Sequence, residues 1–180
     1  MTEYIHQAVT YTEAYRGWMY RASQRLVELK TEDIYLQIDK GSGAVTYMTA
    51  QKKALLTERA KESRLMETTV QGISRGRLYL EWPKNENLYG MGAGTKAELS
   101  LKGVARYISH VGKPEKLPMV ISEKGYALVL ANPGSVFCCN VSSYGIHICE
   151  EYTSVLDYYF MIGKDKEELI AMYHHLIGKR

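Results

Sequence analysis

The chain has 180 residues, with 23 Lys or Arg against 20 Asp or Glu and a net charge of +3. That suits one domain and is too balanced to argue for nucleic acid or an anionic membrane as a partner. Its 46% hydrophobic content supports an ordinary globular core, and the one bias is 15 Tyr against 2 Phe and 2 Trp, a strand-forming residue whose hydroxyl suits half-buried or sugar-facing positions, or which simply replaces Phe on sheet faces.

The opening Met1-Thr2-Glu3-Tyr4-Ile5-His6 has no basic stretch followed by an apolar run, so no signal peptide is expected. No apolar stretch approaches the roughly 20 residues of a membrane span. Residues 1–24 are weakly patterned and read as a lead-in, with Glu13 to Tyr20 fitting either a short helix or a strand. Residues 25–180 read as one domain. From Arg25 the period is two: Leu26 to Leu29 is a strand, and Ile34, Leu36 and Ile38 alternate with polar neighbours. Lys40-Gly41-Ser42-Gly43 is a turn, and Ala44 to Met48 returns, which makes a hairpin.

Shorter runs follow: Leu55 to Glu58, Leu65 to Val70, Leu78 to Trp82, Met119 to Ser122, Tyr126 to Ala131, Ser135 to Val141, Gly145 to Glu150 and Ser154 to Met161. Gly72 and Gly76, Lys124-Gly125, Asn132-Pro133-Gly134 and Ser142-Ser143 punctuate them. Many short strands at regular spacing predict a mainly β chain, an antiparallel β-sandwich rather than a βαβ fold. One helix is predicted near the C-terminus. Asp165 caps it with Glu168 three residues on, Leu169, Met172, Tyr173 and Leu176 form one stripe, and Gly178 suits the C′ position.

Few residues offer chemistry. Gly90-Met91-Gly92-Ala93-Gly94-Thr95-Lys96 has the wrong order for a phosphate loop and no third glycine for a dinucleotide fingerprint. The histidines and cysteines lack metal-ligand spacing, so no metal and no cofactor is expected. An odd three cysteines, Cys138, Cys139 and Cys149, predict reduced thiols in a cytoplasm. Asp157 reads as an exposed or hydrogen-bonded strand residue, and Glu150-Glu151 point opposite ways on a strand, so they cannot act as one acid/base pair.

Several segments in this order resemble the N-terminal domain of glycoside hydrolase family 31. Ile34 to Val45 is similar to its early strand-turn-strand. Glu86-Asn87-Leu88-Tyr89-Gly90-Met91-Gly92 resembles its Tyr-Gly-Leu-Gly element, and Leu117 to Ala127 its Pro-apolar-Ser-x-x-Gly-Tyr stretch. Asn132-Pro133, Leu156 to Phe160 and the helix to Gly178 complete the match over about residues 25–180. The resemblance implies a galactose-mutarotase-like sandwich with a C-terminal helix, followed in the family by a catalytic (β/α)8 barrel that carries the acid pair. The implied role is a non-catalytic domain that packs on that barrel and lends a loop, here about Thr95 to Lys116, to a pocket for an α-linked oligosaccharide. In that loop Arg106, Ser109 and His110 are the implied substrate-facing residues, and the family's usual acids are missing: His110 stands for one and Ala93 for another. Two alternatives stay open, a stand-alone mutarotase-like enzyme and a carbohydrate-binding module.

Overall fold

The computed structural model describes residues 19–22, 26–59, 64–68, 72, 74–93, 100–109, 116–131, 134–142, 146–151 and 158–178. Three antiparallel sheets are built from them. The first is a meander of β1 (Met19–Ala22), β2 (Leu26–Lys30), β3 (Ile34–Asp39), β4 (Val45–Thr49) and β5 (Ala54–Glu58). The second has the order β14 (Tyr158–Ile162), β11 (Tyr126–Leu130), β10 (Lys116–Ser122), β8 (Leu88–Ala93). The third has the order β6 (Arg64–Thr68), β7 (Ser74–Tyr79), β13 (His147–Glu151), β12 (Ser135–Cys139), β9 (Ala105–Ile108). The helix α1 spans Lys166–Leu176.

The first and third sheets are stitched together. A bridge pairs Glu58 with Leu80, Arg59 N donates to Tyr79 O at 3.1 Å, and Glu81 N donates to Thr57 O at 2.9 Å. All three sheets feed one core: Leu36, Tyr47 and Leu56 from the first, Val120, Leu128 and Phe160 from the second, and Leu78, Val136 and Ile148 from the third. The expected sandwich is therefore present, with the second sheet facing the joined pair.

The β3–β4 hairpin forms where its sequence places it. Asp39 Oδ1 accepts from Gly41 N at 3.0 Å and Ser42 N at 2.8 Å, while Gly43 adopts φ 73° and its N–H donates to Asp39 O at 2.7 Å. A short acceptor and a glycine at positive φ together close the turn.

β11 is buried at all five positions, which an antiparallel strand reaches only when both faces are covered. α1 supplies the second cover. Leu169 and Tyr173 pack with Leu117, Met119, Ile121, Ala127, Val129 and Met161 in a second cluster on the outer side of the second sheet. The helix begins as its sequence predicts: Glu168 N donates to Asp165 Oδ1 at 2.8 Å, and the Glu168 carboxylate accepts from Lys164 N at 2.8 Å.

Two expectations are corrected, and one open alternative is narrowed. Gly76 is not a break between runs but lies inside β7, opposite Glu150 of β13 and Met66 of β6. Residues 95–116 are not one continuous loop. Ser100 bridges Tyr89, and β9 stands in the middle, held by the pairs Val136↔Ile108 and Cys138↔Arg106. Its alternation was hidden because only Ile108 of its four residues is buried. Met19–Ala22, within the stretch read as a lead-in, is a strand whose Met19 pairs with Lys30; most of residues 1–24 lie outside the described residues.

Candidate functional site

The implied pocket loop begins at β8, where the backbone is unusual. Gly90 has φ 110° and Met91 has φ 52°. A Cβ on Gly90 would lie 2.2 Å from Met119 O, so only glycine fits here. The pairing of β8 with β10 slips at this point, between Leu117 and Val120, which marks a bulge. Met91 accepts a left-handed conformation because its side chain is buried in the main core, 2% exposed.

Arg106 braces this bulge. Its register partners Cys138, Ile148 and Leu78 put it on the core-facing side of the third sheet. One guanidinium nitrogen donates to Gly90 O at 2.7 Å and the other to Ser100 O at 3.0 Å. Arg106 thus ties together the chain on either side of residues 94–99. Ser109 is half-buried directly after β9, and His110 lies outside the described residues.

Among the described residues three carboxylates are buried in the sandwich: Glu58, Glu86 and Glu150. Glu58 is shared by two phenols. Tyr47 OH donates to it at 2.7 Å, Tyr158 OH also donates to it, and the two hydroxyls lie 3.1 Å apart. Burial first, and then the Glu58 charge, holds the Tyr158 phenol well above the usual tyrosine range. Glu86 accepts from Ser122 Oγ at 2.5 Å and Tyr126 OH at 2.6 Å, and its second oxygen meets Lys124 Nζ at 2.6 Å. Burial, then the bond to Glu86, raises Tyr126 likewise. The rings of Tyr47 and Tyr126 both stack on Phe160, at 4.3 and 5.4 Å. These acids knit strands together inside the protein. Sequence reasoning missed Glu58 and Glu86; the only signal was their place beside Tyr-rich strands.

On β13 the alternation separates His147 from Glu150. Ile148 belongs to the main core, so Glu150, two residues on, shares its face. His147 is on the opposite face, its ring 5.2 Å from Tyr79 and 5.8 Å from Phe137. The two groups do not converge on one ligand as a mutarotase acid and base would. Also on that outer face, Tyr107 OH donates to Glu151 at 2.9 Å and Arg75 pairs with Glu151 at 2.8 Å. Among the described residues no three His, Cys, Asp or Glu side chains gather as metal ligands would, and no helix is long and apolar enough to cross a membrane. All three cysteines are free and buried, and burial pushes the Cys138 thiol up to about 12.

No protein-family model and no curated protein matches the sequence. Solved structures do. The chain is similar to the cycloalternan-forming enzyme of Listeria monocytogenes, solved with a pentasaccharide substrate, at TM-score 0.70 and 17% identity over 91% of this chain and 17% of that one. It is similar to a GH31 α-xylosidase from a soil metagenome, complexed with xylose, at TM-score 0.68 and 17% identity over 90% of this chain and 27% of that one. A GH31 dextranase of Flavobacterium johnsoniae follows at TM-score 0.67 and 18% identity, over 94% of this chain and 22% of that one. The chain therefore has the fold of one portion of glycoside hydrolase family 31 enzymes, and it spans between 17 and 27% of the length of these three.

Proposed function

We propose that this chain is the non-catalytic N-terminal β-sandwich of a family 31 glycoside hydrolase, of α-glucosidase or α-xylosidase type, which packs on a catalytic (β/α)8 barrel. The observation that carries this reading is the asymmetry of the likeness: over 90% of this chain overlays under 20% of the cycloalternan-forming enzyme. The interior of the sandwich supports it. Retaining hydrolysis needs two carboxyl groups about 5 Å apart across the sugar, whereas Glu58 and Glu86 are each spent on tyrosine hydroxyls within the core.

In this reading the segment from 94 to 115, held at its base by Arg106, lends a wall to a pocket for an α-linked oligosaccharide. Arg106 supplies the anchor through Gly90 O and Ser100 O, and Ser109 and His110 are the proposed substrate-facing residues after β9 in the sequence. Free, buried thiols favour a cytoplasmic setting. The test is to incubate the 180-residue chain with nitrophenyl α-glucoside and α-xyloside. No release of nitrophenol above the blank is expected, and turnover would overturn the reading.

A further inference from the structure

We draw no further inference here: the strongest candidate, the half-buried apolar rim of Tyr89, Tyr159, Ile170, Met172 and Leu176 on and beside α1 at the outer side of the second sheet, carries nothing because nothing in the structure shows what covers it.

Discussion

Glu58 is fully buried where the first sheet meets the second, and its carboxylate is the acceptor for Tyr47 and Tyr158. The two phenols come from residues 111 apart in the chain, so one acid fixes a long-range contact in the fold. Glu58→Ala would leave two buried hydroxyls to find new partners and should cost about 2–4 kcal/mol, whereas Tyr158→Phe removes one bond and should cost about 1 kcal/mol. Urea unfolding of both variants checks the difference. The same network sets an alkaline limit. Tyr158 and Tyr126 keep their protons in the folded state well beyond the ordinary tyrosine range, through burial and then through Glu58 and Glu86. The unfolded chain releases those protons near pH 10, so stability is whole below that pH and is lost as pH rises above it, by about 1.4 kcal/mol per pH unit for each such tyrosine. Tyrosinate absorbance should rise in two stages, open tyrosines first and these two only with unfolding. A single stage with every tyrosine titrating near pH 10 while the fold persists would contradict the network.

Among the elements, α1 and β8 show the two ways in which local sequence and tertiary context divide the work. The helix is set locally: Asp165→Ala removes the cap that Glu168 N uses and should cost about 1 kcal/mol, read by urea unfolding followed through the helical circular dichroism. β8 is set by its neighbours. Gly90→Ala would drive a methyl into Met119 O and should cost several times more, with partial rescue impossible by any side-chain repacking because the obstacle is backbone. This division explains what could be read from the residues alone. The capping spacing and stripe of α1, the Asp39–Gly43 turn and the alternation of β3 are short-range patterns, and each recurs in the structure. β9 was read as loop because it is an edge strand with one buried residue, so its identity rests on pairing with β12. Gly76 looked like punctuation because its place opposite Glu150 is visible only once β13 is laid beside β7. Among the implied site residues, Arg106 was legible as a charge in a loop-like segment, but its bond to Gly90 O depends on a bulge that no period announces.

At the scale of the whole molecule, the second sheet divides two hydrophobic cores. Val120, Leu128 and Phe160 point into the sandwich, while Met119, Ile121, Val129 and Met161 point out to α1. Every strand that serves the helix therefore also serves the main core, because successive side chains alternate between faces. The two clusters should consequently melt as one unit. In a Trp18→Phe background Trp82, buried in the main core, reports that core alone, while circular dichroism reports α1. The two signals should give one coincident transition. Leu169 is fully buried in the second cluster, and Leu169→Ala should cost about 2–5 kcal/mol. If the sheet transmits that loss, the Trp82 transition must fall with the helix transition by the same amount. A helix that melts early while Trp82 holds its wild-type midpoint would mean that the second cluster is a local attachment, and that the sandwich stands without it.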